Sequence, residues 1–341
     1  MQQEAIIEAL MDPAAYDEEI RYIKMLQTHI SYIILTGKYA YKIKKPVDFG
    51  FLDFTTLEKR RFYCEEEVRL NRRLCGDMYV GVLPVTISDG SVKIGGSGRT
   101  VEYTVKMREL PQEALMSRLL DRDEVTADIM DQIARILSEF HRKAETNREI
   151  ESYGSIRILR FNWDENFDQT GEFIGRTIRK GDYDFIRRAV RGFLDGRRGL
   201  FKLRRDKGRI RECHGDLHSG NIFIADRIYI YDAIEFNKRF RYCDVASDIA
   251  FLLMDLEFLS KESLSIRFLD RYIEYSGEKE DFLEVLPFYK CYRAYVRGKV
   301  TSFKLNDPNI PEEEKETSRQ MAERYFWMSR QYAEQMIRGI S

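Results

Sequence analysis

The first hundred residues alternate between short apolar runs and polar breaks, a pattern typical of strands joined by turns. Residues 23–44 are rich in β-branched and aromatic residues and are interrupted by Thr36-Gly37-Lys38, which predicts a β-hairpin. From Thr55 or Thr56 to Leu74, apolar residues recur at helical spacing among charged ones, which predicts a helix. Residues 79–85 and 101–107 are predicted to form two further strands.

The rest of the chain has mainly helical character. Residues 1–22 are predicted to form a polar N-terminal helix or arm. After Leu110-Pro111 the apolar spacing becomes helical, most clearly at 129–140, and residues 245–340 are helical again. A short strand-rich island at 210–234 interrupts this region. The order of elements therefore predicts an α+β fold.

Length and composition limit the class of protein. A chain of 341 residues with 43% hydrophobic and 33% charged residues is typical of a globular protein and excludes wholesale disorder. We expect two domains, a small β-rich lobe at 1–108 and a larger, mainly helical lobe at 109–341. Lysine plus arginine (56) against aspartate plus glutamate (57) gives a net charge of −1, which argues against a dedicated nucleic-acid binder.

The pattern of the cysteines and the lack of a recognisable secretory signal predict a cytoplasmic protein. The five cysteines include no C-x-x-C pair, which argues against a zinc ribbon and a disulfide framework and predicts a reducing compartment. Residues 1–10 lack the basic stretch of a secretory signal. The most apolar run, 249–259, is too short to span a bilayer and contains Asp255 and Glu257. We therefore expect no membrane association.

The strand-rich island carries the candidate chemistry. It begins with H-G-D-L-H-S-G-N at 214–221, followed by two apolar runs on either side of a three-residue polar connection. The runs are predicted to pair as a hairpin with Ile222 opposite Ile230. That register brings Asn221 and Asp232 together at the open end. A carboxamide and a carboxylate at strand ends form a good site for a hard cation such as Mg²⁺.

The spacing of these residues is the one that phosphoryl transfer needs. Asp216 lies five residues before Asn221 and would accept the proton of a substrate hydroxyl, while Asn221 and Asp232 would hold metal ions on the phosphates. The protein-kinase loop H-R-D-x-x-x-x-N has the same spacing, with Gly215 here in place of its arginine. The alternative is that Asp216 and Asn221 stabilise a turn and that His214 is a packed histidine.

The island also resembles a known family. H-G-D-L-H-S-G-N-I resembles the catalytic loop of aminoglycoside phosphotransferase-like kinases, a group that includes choline-kinase-like enzymes, and residues 231–236 resemble their metal-binding segment. The chain is most similar to an uncharacterised bacterial and archaeal branch, which shares stretches at 35–47, 50–54 and 233–237. The resemblance covers most of 25–305. It implies a bilobal protein-kinase-like fold, ATP and Mg²⁺ as cofactors, and a small-molecule hydroxyl as acceptor. Some members carry a P-loop ATPase domain, which we do not expect here because the sequence has no G-x-x-x-x-G-K-[ST].

A kinase of this kind needs a lysine that reaches the phosphates and a glutamate that holds it. Lys42 ends an A-x-K triplet on the predicted strand and matches the A-x-K of V-A-I-K, and Lys44 lies on the same strand face as an alternative. Glu67 on the predicted helix is the expected partner. Glu65 and Glu66 are its alternatives.

Other parts of a nucleotide site are less specific. No G-x-G-x-x-G precedes the lysine strand, so the candidate phosphate cover is the turn that contains Thr28 and Ser31. The segment 106–111, with Met107, would be the hinge whose backbone meets adenine. Glu235 would lie near the metals or be a solvated loop carboxylate.

The acceptor and the function class stay open at this stage. Arg293 and Arg297 lie one helical turn apart and could bind an anionic acceptor, or they could form salt bridges with neighbouring glutamates. No acidic cluster supports an aminoglycoside acceptor and antibiotic resistance. The leading hypothesis is a Mg-ATP-dependent kinase. The alternatives are a kinase-like regulator or protein-directed kinase, and a metallohydrolase that uses His214 and His218. The oligomeric state and the choice between ATP and GTP are open.

Overall fold

The structure is a computed structural model that describes residues 2–338. It separates into two compact units. The first combines Gly220–Lys238 with the chain up to Leu119, and the second combines Leu120–Ser219 with the chain from Arg239 onward. The predicted lobe division between 108 and 109 stays a prediction. Residues 220–238, which are part of the strand-rich island, belong to the first unit although the chain on both sides of them belongs to the second. No single boundary in the sequence therefore separates the two units.

Within residues 2–338, ten strands form one large and two small antiparallel sheets. They are β1 (Lys24–Gln27), β2 (Ser31–Leu35), β3 (Tyr39–Lys44), β4 (Tyr79–Ser88), β5 (Ser91–Ile94), β6 (Arg99–Arg108), β7 (Ile210–Glu212), β8 (Ile222–Ile224), β9 (Ile228–Ile230) and β10 (Tyr242–Asp244). The large sheet has the order β1-β2-β3-β6-β4-β5, and β8 pairs with β9 and β7 with β10. The predicted hairpin is β2–β3, and its turn contains Gly37 at φ +87°, a conformation that favours glycine.

Thirteen α-helices are distributed over the described residues. They are α1 (Gln3–Ala9), α2 (Leu57–Cys75), α3 (Met116–Asp121), α4 (Ala127–Lys143), α5 (Arg148–Ser152), α6 (Ile156–Thr170), α7 (Lys180–Gly196), α8 (Arg198–Asp206), α9 (Lys238–Arg241), α10 (Val245–Phe258), α11 (Glu262–Ser276), α12 (Glu280–Phe303) and α13 (Glu312–Arg338). The predicted α+β fold class is confirmed: one unit is built on the large sheet and the other is mainly helical. None of the helices within residues 2–338 has the length and apolar character needed to cross a membrane.

Both faces of the large sheet are covered within the first unit. Neighbouring strand residues point to opposite faces, so Ile34 joins the core beside α1 while Leu35 joins the core beside α2. Helix α2 begins directly after Thr56, as the sequence predicts. The Thr56 hydroxyl caps this end of the helix by accepting a hydrogen bond from the Lys59 N–H at 3.2 Å. The N-terminal segment contains a helix, one of the two predicted alternatives, but the helix has only seven residues and is not wholly polar, since Ile6 is buried against the sheet.

Helices α10, α6 and α12 contribute buried residues to the core of the second unit. All but one of the fourteen residues of α10 are buried. Trp163 of α6 is 1% exposed, and its ring centroid lies 5.5 Å from that of Tyr295 on α12. Helix α10 is therefore fixed on nearly every side, which makes it a rigid support for the loop 214–219.

Candidate active site

The loop that contains Asp216 is anchored to α10 by a buried aspartate. The carboxylate of Asp248 accepts hydrogen bonds from the backbone N–H groups of His214 at 2.7 Å and Gly215 at 2.9 Å. It also lies 3.3 Å from Nε2 of His141. Burial would raise the pKa of Asp248, but the hydrogen bond and charge of His141 and the charge of Arg293 lower it to about 2.

The glycine at position 215 makes this anchoring possible. Gly215 has φ +88°, in the left-handed region that favours glycine. This conformation turns two consecutive N–H groups toward one carboxylate, which is the geometry of a backbone anion-binding concavity. It gives a physical reason why glycine stands where protein kinases have arginine.

Two further residues fix the loop. Asp255, seven residues after Asp248 on α10, accepts the N–H of Ser219 at 2.8 Å. Arg293 is 6% exposed and donates to the carbonyl oxygens of Gly215 at 2.8 Å and of Ser247 at 3.2 Å. The sequence suggested Arg293 as an acceptor-binding residue, whereas the structure shows it bound to backbone and therefore bracing the loop.

Asp216 lies in the second unit, close to cationic side chains. Its side chain is 36% exposed, and Oδ2 is 3.4 Å from Nε2 of His218. Loss of hydration would raise the pKa of Asp216, but the charge and hydrogen bond of His218 and the charge of Arg297 lower it below its ordinary value. His214 is buried, and its Nδ1 accepts the N–H of Asp216 at 3.2 Å. Asp216 is therefore ionised at neutral pH.

We expect Asp248→Asn to destabilise the protein by about 3 kcal/mol, because an amide replaces one acceptor of two buried N–H groups and leaves His141 without its charged partner. The folded-state pKa of Asp248, about 2, is below the ordinary 3.8. Its contribution is therefore present above pH 3.8 and is lost as the pH falls toward 2. Denaturant unfolding at several pH values measures this, with the exposed Asp270→Asn as control. Equal unfolding midpoints for Asp248→Asn and wild type at pH 7 would contradict the anchoring role.

The hairpin with the two proposed metal ligands belongs to the first unit. Ile222 lies opposite Ile230, as predicted, and the N–H of Tyr231 donates to the carbonyl of Asn221 at 3.0 Å. Asn221 and Asp232 therefore lie close together at the open end of the hairpin. The Asp232 side chain is 42% exposed. An amide and a carboxylate at this point are the hard oxygen donors that fit Mg²⁺.

Asp232 has an unusual backbone conformation. Its φ of +63° lies in the left-handed region, which costs energy for a residue other than glycine. The next peptide is fixed, because the N–H of Ala233 donates to Oδ1 of Asn71 on α2 at 2.8 Å. Farther along, Nδ2 of Asn237 donates to the carbonyl of Phe51 at 2.9 Å. The segment is thus tied to the rest of the first unit on the C-terminal side of Asp232.

The structure pairs both candidate lysines with the same glutamate. Glu67 is fully buried, with Oε1 2.8 Å from Nζ of Lys42 and Oε2 2.7 Å from Nζ of Lys44. Glu65 and Glu66 instead pair with arginines on α2. Burial would lower the pKa of Lys42, but the charges of Asp232, Glu67 and Glu235 raise it well above its ordinary value. Lys42 is therefore a permanent cation.

The other proposed nucleotide contacts lie in the first unit as well. Thr28 closes the turn between β1 and β2, since its hydroxyl accepts the N–H groups of Ile30 at 3.3 Å and Ser31 at 3.0 Å. Ser31 is fully buried. Met107 lies in β6 between β3 and β4, with its side chain in the core. None of these positions has the open glycine-rich backbone of a typical phosphate loop.

A group of potential metal ligands lies elsewhere in the second unit. His141, Cys213 and Asp248 are buried, and their ligand atoms lie within 4.8 Å of one another. Each nitrogen of His141 already has a partner, with Nδ1 2.8 Å from the hydroxyl of Tyr272. Burial raises the pKa of the Cys213 thiol, which disfavours the thiolate that a metal needs. We interpret this group as a hydrogen-bond network, and it does not contain the His214–His218 pair of the metallohydrolase hypothesis.

Sequence reasoning missed several supporting residues. It assigned no bracing role to Asp255, and it treated Lys44 and Lys42 as alternatives when both bind Glu67. The spacing of Asp248 and Asp255, seven residues apart on one face of a helix, could have revealed the second brace. Asn71 carries no comparable sequence signal, because its partner is 162 residues away.

Comparisons with known sequences identify relatives of unknown activity. No family model matches the chain. It is 34% identical over 280 residues to uncharacterized proteins of Mycobacterium tuberculosis and Mycobacterium bovis, and the match covers 82% of this chain and 54% of each relative. The chain therefore spans about half the length of the curated relatives it matches.

Comparisons with solved structures identify the fold. A microcompartment-associated aminopropanol kinase matches with a TM-score of 0.55 at 14% identity, over 99% of this chain and 98% of that one. A choline/ethanolamine kinase family protein from Mesorhizobium loti matches with a TM-score of 0.53 at 11% identity, over 98% and 99% of the two chains. Amicoumacin kinase, solved with AMP-PNP and Ca²⁺, gives 0.52 at 11% identity, over 95% and 93%. The chain thus has the fold of the small-molecule kinases, as the resemblance of its loop predicted.

Proposed function

We propose that this chain is an ATP-dependent phosphotransferase that moves the γ-phosphate of ATP to a hydroxyl of a small molecule. The observation that carries the proposal is the braced loop, in which the ionised Asp216 follows two N–H groups fixed by Asp248 and precedes Asn221 by five residues. The fold that the chain shares with small-molecule kinases supports the proposal, as do the activities for which its structural neighbours are named.

Asp216 is the proposed general base. Its carboxylate accepts the proton of the acceptor hydroxyl as the hydroxyl oxygen bonds to the γ-phosphorus. The bond from that phosphorus to the bridging oxygen breaks at the same time, and ADP leaves. The lowered pKa of Asp216 keeps the base ionised at neutral pH.

The first unit would hold the nucleotide. Asn221 and Asp232 would bind Mg²⁺, which neutralises phosphate charge when bound. Lys42, oriented by Glu67, would donate to phosphate oxygens. The backbone of 106–111, including Met107, would meet the adenine, and the turn 28–31, with Thr28 and Ser31, would cover the phosphates.

Arg297 bears on the identity of the acceptor. It is an electrostatic neighbour of Asp216, and burial would lower its pKa, but the hydroxyl of Tyr325 and the charges of Asp216 and Asp255 raise it. A cation beside the proposed base favours an acceptor with a carboxylate or phosphate over a second cation. The structural neighbours named for choline, ethanolamine and aminopropanol make amino alcohols the competing class.

A panel of acceptors tests the proposal. Wild-type protein is incubated with Mg²⁺, γ-labelled ATP and three classes of hydroxyl compound: hydroxy acids and sugar phosphates, neutral sugars, and amino alcohols. We expect label to reach at least one class, with the Asp216→Asn variant as blank. Transfer no greater than the blank across all classes, together with no binding of nucleotide, would overturn the proposal.

A kinase-like regulator is the second candidate. The turn at 28–31 favours it, because the N–H groups of Ile30 and Ser31 already bond to Thr28 and are not turned toward a ligand.

Nucleotide binding separates the two candidates. For the kinase we expect Mg-ATP at one hundred times its Kd to stabilise the fold by about 2.7 kcal/mol, seen as a rise in melting temperature. ATP with EDTA is the control and should give a smaller rise. A melting temperature unchanged by Mg-ATP would favour a regulator that does not use nucleotide.

A further inference from the structure

Five charged side chains in the first unit form one continuous chain of ion pairs. Nζ of Lys42 lies 2.6 Å from Oδ1 of Asp232 and 2.8 Å from Oε1 of Glu67. Oε2 of Glu67 lies 2.7 Å from Nζ of Lys44, and Lys44 also contacts Oε1 of Glu235. The order is therefore Asp232, Lys42, Glu67, Lys44 and Glu235, with the charges alternating.

The two ends of this chain differ in exposure, because the Asp232 end is open and the other four side chains are largely buried. The side chain of Asp232 is 42% exposed, that of Lys42 is 11% exposed, and that of Lys44 is 1% exposed. The interior end is closed by Glu235 and by the ring of Phe54, whose centroid is 5.0 Å from Nζ of Lys44. Only the Asp232 end is thus open to a ligand.

Lys44 provides Glu67 with a second cation, which matters when Lys42 binds a phosphate. The proposed phosphate contact of Lys42 requires its ammonium to exchange Asp232 for an anionic oxygen. Glu67 would then share its only cation with the nucleotide, inside a site where an unpaired buried carboxylate is costly. Because Lys44 binds the other oxygen of Glu67, this carboxylate keeps a full partner throughout.

Glu235 connects the same cation to the metal-binding segment. It lies three residues after Asp232, whose left-handed φ of +63° must be maintained by its surroundings. Burial raises the pKa of Glu235, and the charge of Lys44 opposes this rise. The contact with Lys44 therefore anchors the segment to β3, next to the strand position of Lys42.

We propose that Lys44 and Glu235 are positioning residues that hold Glu67 and the backbone of Asp232 in place for a metal-bound nucleotide. The inference rests on the proposed function. It predicts that this second pair sets the affinity for the metal–nucleotide complex, while Lys42 itself contacts the phosphates. Partners that orient metal ligands typically change metal affinity about 10–100-fold when they are removed.

The test measures binding and not turnover. AMP-PNP is titrated calorimetrically into wild type and into the double variant Lys44→Met, Glu235→Gln at a series of Mg²⁺ concentrations. The double variant removes both charges, so neither is left alone in the core. We expect its Kd for Mg-AMP-PNP, and the Mg²⁺ needed for half-saturation, to rise about tenfold or more. The single variant Lys44→Arg keeps the cation and should therefore bind Mg-AMP-PNP with most of the wild-type affinity.

Each outcome decides a different question. Wild type that does not bind Mg-AMP-PNP would overturn the proposed function. Wild type that binds, with a double variant of unchanged Kd and Mg²⁺ requirement, would overturn this inference alone, because a purely structural pair lowers the melting temperature without moving either quantity. If the double variant does not fold, the single variant Glu235→Gln is used. We expect about a tenfold higher Mg²⁺ requirement there, and a value equal to wild type contradicts the inference.

Discussion

Asp216→Asn is expected to lower kcat by about 10²- to 10⁴-fold while leaving the melting temperature and the affinity for Mg-ATP close to those of wild type. The amide has the shape of the carboxylate but cannot accept the hydroxyl proton. The loop should keep its conformation, because its anchors are the N–H groups bound by Asp248 and Asp255 and the carbonyl bound by Arg293. Initial rates at saturating ATP and acceptor measure the effect.

The control for this variant is Asp168→Asn, which removes an exposed carboxylate from α6 in the same unit. We expect wild-type rates for it. The role of Asp216 as base is contradicted if Asp216→Asn turns over at the wild-type rate. A simultaneous loss of folding and of nucleotide binding would instead assign Asp216 a structural role.

Lys42→Met is expected to lower kcat by about 10²- to 10³-fold, the usual effect of removing one preorganised donor that stabilises transition-state charge. The variant should fold, because Glu67 keeps Lys44 at 2.7 Å when Lys42 is removed. A melting curve and single-turnover transfer from labelled ATP are measured on the same preparation.

Lys93→Met on β5 is the matched control, since it removes an exposed lysine from the same sheet. Activity retained in Lys42→Met but lost in Lys44→Met would show that the two lysines have the opposite roles. Loss of the fold in Lys42→Met would show that Lys44 alone does not neutralise the buried charge of Glu67.

Local signals predicted the elements that hold the site. The β-branched and aromatic run broken at Gly37 predicted β2 and β3, the helical spacing after Thr55 or Thr56 predicted α2, and the two apolar runs predicted the register Ile222–Ile230. These features depend on residues close together in the sequence, where turn chemistry, capping and side-chain alternation decide the structure.

The supporting contacts could not be predicted because they join distant parts of the chain. Lys44 and Glu235 are 191 residues apart, and Arg293 and Gly215 are 78 apart. Arg293 and Arg297 share a helix turn, so sequence spacing treated them alike. Packing separates them: Arg293 binds backbone carbonyls, whereas Arg297 is an electrostatic neighbour of Asp216. Nor did the polar composition of residues 1–22 reveal that Ile6 is part of a core.

Because the loop is attached to α10, substitutions inside that helix also act on the position of Asp216. Asp248 and Asp255 transmit any shift of the helix to the backbone on both sides of Asp216. Leu252→Ala, for example, removes a fully buried side chain one turn after Asp248 and leaves a cavity in the packing of the helix. It would then reduce turnover in the manner of an active-site variant. Sequence variation along α10 is therefore a route by which related chains could adjust their reaction rate without altering a residue that contacts substrate.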